Sequence, residues 1–368
     1  MHHITSIKII TWLILVYIVA TRLHGAGLEY LNAHATAIVV GSVTSRIEDP
    51  EQVVFTINIA RVLKGSVAGS SVSVIHPWAG LLRRSGQLVN QSLVGIWFLS
   101  TNDASGNWDV LIARPSAGVR TMLGLYLPAS PTPPTGAYAY PPTTALIDAL
   151  VYETAAGVQS SNADPGLLLG AFDSIDTPAI RAMFATSLSS KDPGTQAVAL
   201  AGSLERALPG AIQHLVDLWP TINSNTHASD VVSALASSWR DATPAAVQQL
   251  AAFAAGVPAG SDIRNASVRA LAAIHTTETL PFLASLLSSA DANEQERSVY
   301  GLSAFANGCP MQTPDNVVSM AYLQCTQPST YRTTETFANF GFRPGPPDEE
   351  TVLVSFWQTW WNSHPELH

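Results

Sequence analysis

The chain has 368 residues, of which 12% are charged, with 18 basic against 27 acidic residues and a formal net charge of −9. That length accommodates two or three domains with substantial cores. Only Lys8, Lys64 and Lys191 supply lysine, and no basic stripe runs through the sequence, which argues against nucleic acid and anionic membrane surfaces as partners.

The first twenty residues read as a targeting device. Lys8 precedes an apolar run from Ile9 to Ala20, and Thr21-Arg22 follows. A positive n-region, a short h-region and a small residue at its end make a secretory signal. Cleavage is expected after Ala20, or as late as Ala26 because Ile18 occupies the −3 place. The apolar run makes only about 18 Å of helix, too short for a stable membrane anchor. The expected location is therefore secreted or periplasmic.

Residues 27 to 128 are rich in β-branched and aromatic side chains. Candidate strands are Ala37–Val43, Val53–Ile59, Val72–Ile75, Leu93–Leu99 and Trp108–Ala113. Phe55, Ile57 and Ile59 alternate with Thr56 and Asn58, the period of a half-buried strand. Turn clusters separate them at Glu48-Asp-Pro50, between Lys64 and Ser70, and between Asn102 and Asn107. Five or six short strands in about a hundred residues predict a small barrel or sandwich. The run from Ala35 to Val43, then Phe55 to Arg61 with Val62-Leu-Lys-Gly65, then Gly95-Ile-Trp-Phe-Leu99 resembles the netrin-like OB barrels of secreted proteins, the fold of the tissue inhibitors of metalloproteinases. Those inhibitors grip the protease zinc with an N-terminal cysteine. This chain has no Cys before Cys309, so the resemblance implies the barrel and not that mechanism.

Residues 128–142 hold six prolines in fifteen positions, and the segment 129–143 is predicted to be a stiff extended linker. Its Tyr138 and Tyr140 are expected to pack on a neighbouring domain. Helical character resumes at Thr144.

From Ile180 onward one apolar spacing, i, i+3, i+4, i+7, recurs in eight segments. Four begin at Ile180, Ile212, Val247 and Leu280, and four at Ala197, Val232, Val268 and Val299. Each is the buried stripe of an amphipathic helix. An interval of 31 to 36 residues with two helices per unit predicts a stacked helix-pair solenoid over 144–308. Asp176-Thr-Pro178, Lys191-Asp-Pro193, Leu208-Pro-Gly210 and Ala242-Thr-Pro244 punctuate helix starts. Asp262 to Ala272, followed by Thr279 to Leu287, is similar to a HEAT repeat, and the resemblance spans about residues 163–308. The predicted fold class is thus multidomain α plus β: an OB-like barrel, then a HEAT-like α-α solenoid, closed by a C-terminal helical cap over 309–368.

In an exported chain the two cysteines, Cys309 and Cys325, are expected to form a disulfide. Pro314 to Cys325 also shows helical spacing, and a straight helix there would carry Cys325 about 16 Å away from its starting end, beyond bridging distance. A chain reversal after a short helix is therefore predicted. The last element, Asp348 to Asn362, carries Leu353, Phe356, Trp357, Trp360 and Trp361. It reads either as the cap that a solenoid end requires or as an exposed binding patch.

Catalytic signatures are missing: the sequence has no His-Glu-x-x-His, Gly-x-Ser-x-Gly, Gly-x-x-x-x-Gly-Lys or Ser-x-x-Lys. No cofactor or metal site is expected, since two cysteines are too few for zinc and the histidines are scattered. His275 closes a helical stripe and reads as a core residue. His76, at a strand end near the adjacent pair Arg83 and Arg84, could face a ligand. The sequence predicts an exported, non-enzymatic, monomeric interaction protein whose solenoid surface binds an unidentified protein or extracellular polymer. The alternatives are a protease-inhibitor-like role for the barrel or a hydrolase with an unrecognised inter-domain site. The Ala-rich, Arg-over-Lys composition is that of a GC-rich bacterial source.

Overall fold

Five strands close on themselves in the first half of the chain, and their sequence explains why two of them read as unbroken apolar runs. The computed structural model describes residues 28–48, 53–76, 94–102, 106–111, 127–161, 163–172, 175–313 and 347–368. The predicted signal, Arg83, Arg84, Cys325 and the proposed chain reversal lie outside these residues. The chain divides into two units, Met1–Thr186 and Ser187–His368.

In the first unit, α1 (Leu28–His34) leads into β1 (Ala37–Glu48), β2 (Val53–Lys64), β3 (Ser71–His76), β4 (Val94–Asn102) and β5 (Trp108–Val110). The order is β1-β2-β3-β5-β4, and β4 pairs back to β1, so the sheet is a closed barrel. All ladders are antiparallel except β3–β5. The two-residue β6 (Leu127–Pro128) pairs with β4 at Gly95 and Ile96. This is an OB-like barrel.

The barrel interior is filled by Val39, Val43, Phe55, Ile57, Val74, Trp97 and Leu99. The Trp97 indole donates to the Gly41 carbonyl at 3.0 Å, which satisfies the one polar atom of the largest core side chain. Gly41 sits at a register shift between β1 and β2, where a Cβ would lie 2.5 Å from the Asn58 carbonyl oxygen. β2 alternates as predicted, with Val53, Phe55 and Ile57 buried and Asn58 exposed. β1 and β4 do not alternate. Ile38, Val40, Ile96 and Phe98, on the outer face, are as buried as their inward neighbours. The long helix α2 (Leu146–Ser161) and α1 both pack on β4 and on each other, so that side of the barrel is covered.

The proline-rich stretch is held between barrel and helix, and Tyr138 and Tyr140 pack as expected. Arg61 on β2 donates to both carboxylate oxygens of Glu153 on α2, and to the carbonyls of Ser130 and Pro131 at 3.0 and 3.3 Å. The Tyr140 hydroxyl donates to the same carboxylate at 2.6 Å. Its ring stacks on Tyr152, and Tyr138 is buried. Burial and then Glu153 push the Tyr140 hydroxyl well above the usual tyrosine range, so it stays a donor to the carboxylate. Gly157 lets α2 approach this strap closely, since a Cβ there would collide with the Pro128 and Ala129 backbone. Two further helices, α3 (Gly166–Phe172) and α4 (Pro178–Ser187), follow.

The second unit is helical: α5 (Pro193–Glu205), α6 (Ala211–Ile222), α7 (Ala228–Ser237), α8 (Pro244–Gly256), α9 (Asp262–Ile274), α10 (Leu280–Leu286), α11 (Ala292–Ala306) and α12 (Pro347–Asn362). The packing is that of stacked pairs. α5, α7, α9 and α11 contact one another in turn as one layer, while α6 packs on α8 and on α5. α8 packs on α9, α10 on α11, and α12 against both α10 and α11. Each predicted stripe lies on a helix, but α7 departs from its predicted phase. Its buried side chains are Val231, Ala234 and Leu235, whereas Val232 is half-exposed; contacts on both sides, to α5 and α9, set the rotation. The α5 run from Ala197 to Leu204 is buried throughout. Asp192 caps α5 by accepting from the Thr195 amide at 2.7 Å.

One ion pair joins α9 to α11 across the turn that follows α8. Arg264 on α9 donates to Glu294 on α11 at 2.5 and 3.1 Å, and to the carbonyls of Ala254 and Val257. The Glu294 carboxylate also accepts from Ser289 at 2.7 Å. Burial pushes this carboxyl up, but Arg264, Ser289 and the Gly260 amide outweigh burial and hold it below its ordinary 4.5.

Replacing Glu153 by Ala leaves Arg61 without its carboxylate, and urea denaturation is expected to show a loss of about 3–5 kcal/mol; a loss under about 1 kcal/mol would class the pair with weak surface bridges. Glu294 has a depressed folded pKa, so its contribution is complete above its ordinary value and is lost as pH falls through the folded one. The stability difference between wild type and Glu294→Gln is therefore expected to be constant near neutrality and to shrink below pH 4.5. A difference that does not change with pH would refute the assignment.

Candidate binding surface

Two short loops, each preceding a helix, open a groove in the second unit. Residues Ala207–Gly210 lead into α6 and Arg240–Thr243 into α8, and the two helices are neighbours in the stack. Between them lies an open space of about 880 Å³ lined by Pro209, Ile212, Gln213, Ala242, Ala245, Ala246 and Gln249, with Arg240 and Asp241 at its loop end. The floor is apolar and small, and the rim is amide. Gln249 donates to Gln213 at 3.2 Å across the two helices.

Local chemistry shapes both loops. Ala207 has φ 45° and Gly210 φ 77°, so the first loop turns through two left-handed residues in four, one of them without the glycine that this region favours. In the second, Asp241 accepts from the Thr243 amide at 3.0 Å, and Pro244 opens α8. Arg240 is immobilised by carbonyls: it donates to Gln312 at 2.6 Å, Trp239 at 2.5 Å and Ala236 at 3.4 Å. It thereby caps the end of α7 and pins the segment after α11. The groove's charged end is thus a rigid one.

His275 holds the same segment from another side. It ends α9 in the left-handed region with φ 37° and is buried. Its Nδ1 faces the Ala272 carbonyl at 3.2 Å and its Nε2 the Cys309 carbonyl at 3.0 Å. The expectation of a core histidine thus acquires a structural role: it joins the end of α9 to the segment that leaves α11.

The aromatic residues singled out in the sequence lie on α12. Trp357 is fully buried, in edge contact with Phe356 and Trp360 at 5.3 Å each. Gln358 donates to the Leu287 carbonyl at 3.4 Å, at the end of α10. Trp360 and Trp361 are half-buried, each with a histidine ring stacked on it, His364 at 4.4 Å and His368 at 4.3 Å. The aromatic surface is therefore largely consumed within its own unit. His76 ends β3 opposite Val53, and its neighbours Arg83 and Arg84 lie outside the described residues. Trp357, Trp360 and Trp361 do not line the groove, whose residues Gln213, Gln249 and Arg240 were not singled out from the sequence. Leu208-Pro-Gly210 and Ala242-Thr-Pro244 are the signal the sequence offers: two turn clusters of the same kind, each before a helix.

Among the described residues no group of three His, Cys, Asp or Glu side chains could hold a metal ion, and no helix is long and apolar enough to cross a membrane. Comparison with known proteins returns no matching family model, no similar curated protein and no similar solved structure. The groove and its neighbours thus stand on their geometry.

Truncating Trp357 to Ala empties a fully buried indole site and is expected to cost about 3–5 kcal/mol in denaturant unfolding. A near-neutral effect would mean that α12 contributes little to closing the stack.

Proposed function

We propose that this is an exported, non-enzymatic binding protein whose helical stack, built of HEAT-like repeats, takes an extended polypeptide segment in the groove between α6 and α8. The observation that carries the reading is the groove itself. It is apolar along its floor, where side chains of a bound strand would be buried, and amide-lined at its rim, where Gln213 and Gln249 offer donors and acceptors to a peptide backbone. Its loop end is held rigid by Arg240, so little ordering is needed on binding. Export rests on the signal-like Lys8 to Ala20 segment. A bridge between Cys309 and Cys325 suits that compartment and would secure the segment already held by His275 and Arg240. The barrel, in this reading a netrin-like module, carries no inhibitory cysteine at its start.

A photo-crosslinking residue at Gln249 in the full chain, expressed in its native cells, tests the reading. Adducts are expected at Gln249 and are expected to fall at least tenfold when Ala246→Trp fills the groove, with the unfolding midpoint unchanged. Adducts that persist in the filled variant, or that form only from a control site at Thr56 on the barrel, would overturn it.

A further inference from the structure

Eight arginines are described, and six are engaged. Arg61, Arg181, Arg206 and Arg264 pair with carboxylates, Arg240 donates to carbonyls, and Arg46 lies over the Phe55 ring. The remaining two, Arg269 and Arg297, have no hydrogen bond or ion pair among the described residues. These two are neighbours. α9 and α11 meet where Gly301 faces Ala272; a Cβ on Gly301 would lie 3.0 Å from the Ala272 Cα. Arg269 precedes Ala272 by one turn, and Arg297 precedes Gly301 by one turn. The contact therefore sets the two guanidinium groups side by side on the solvent side of the layer, with Arg269 exposed and Arg297 half-exposed. Burial of its stem and then the charge of Arg297 hold the Arg269 guanidinium below its ordinary value. Tyr300, one turn beyond Arg297, is half-buried, and its hydroxyl likewise makes no hydrogen bond among the described residues. Burial, then Glu296, keep that hydroxyl protonated, with Arg297 acting against them.

Adjacent like charges with no counter-ion raise the energy of the unliganded fold. In a chain with net charge −9 and few charged residues, acidic residues are in excess, yet the one carboxylate beside this pair on α11, Glu296, forms no ion pair with either arginine among the described residues. We infer that Arg269, Arg297 and Tyr300 form a binding site for a phosphate monoester or free phosphate dianion. Two planar guanidinium forks can each engage two oxygens of one tetrahedral group. A dianion neutralises both, whereas one carboxylate leaves a charge uncompensated. Glu296, adjacent on α11, opposes the ligand and moderates its affinity. The site lies on α9 and α11, apart from the groove between α6 and α8, and stands whether or not that groove binds a peptide.

The test is calorimetric titration of the full chain with inorganic phosphate and, separately, with O-phosphoserine, against chloride at matched ionic strength. Saturable phosphate binding is expected, weakened about tenfold or more by Arg269→Gln and by Arg297→Gln, and weakened less by Tyr300→Phe. Glu296→Gln is expected to tighten binding several-fold, a gain that misfolding cannot produce. Tighter binding of phosphoserine than of phosphate assigns the site to a monoester; the reverse order assigns it to the free ion. Equal responses to phosphate and chloride, or unchanged affinity in both arginine variants, would overturn the proposal.

Discussion

Scarcity of charge is the constraint on which this structure turns. With 12% charged residues, the chain has few charges for its surface, and two of its described Arg–Glu pairs lie inside. Glu153 and Glu294 both have fully buried carboxylates, each gripped by an arginine and by a hydroxyl, from Tyr140 and Ser289 respectively. A buried pair is costly to desolvate and adds little over an apolar core. What it supplies is an address. A carboxylate with three donors around it is satisfied in one arrangement, and any alternative strands a charge.

Each pair is placed where apolar packing alone is ambiguous. Arg61 and Glu153 join a barrel strand, a proline-rich strap and a helix, three elements with different periodicities and no shared ladder. Arg264 and Glu294 join successive members of one helical layer whose stripes, rich in alanine and leucine, could slide by a turn with little loss of buried area. In both cases the arginine also donates to carbonyls near its pair, Ser130 and Pro131 in one unit, Ala254 and Val257 in the other. The guanidinium fork thereby stops irregular backbone from leaving acceptors unsatisfied.

What could be read from the sequence follows the same division between local and non-local interactions. Period and punctuation are local, so the stripes starting at Ile212, Val247 and Leu280, the alternation in Val53–Ile59, and the order of barrel before helices were legible. Partnership is not local. Nothing in the sequence tells Arg61 to choose Glu153, 92 residues away, and so the proline stretch read only as a stiff extended linker with two packing tyrosines. The continuous burial of Ala37–Val40 depends on α1 and α2 covering one side of the barrel. The phase of α7 depends on neighbours on both sides, which its own stripe does not encode. The groove was hidden for a related reason: Pro209 and Ala242 each look like an ordinary helix start, and only the packing of α6 on α8 turns two such starts into one concavity.

Scarcity of charge also gives meaning to charges left without partners. On a densely charged surface two adjacent arginines would find counter-ions within a side chain's reach, and their pairing would say little. Here Glu296 is a single carboxylate beside two arginines, so Arg269 and Arg297 keep a net positive charge between them. Moving either residue by one position would have separated them, because the Gly301–Ala272 contact fixes the alignment of the two helices. A fold that engages its other described arginines with carboxylates, carbonyls or a ring, and holds these two together through a glycine-dependent helix contact, has left room at that place for an anion from outside the chain.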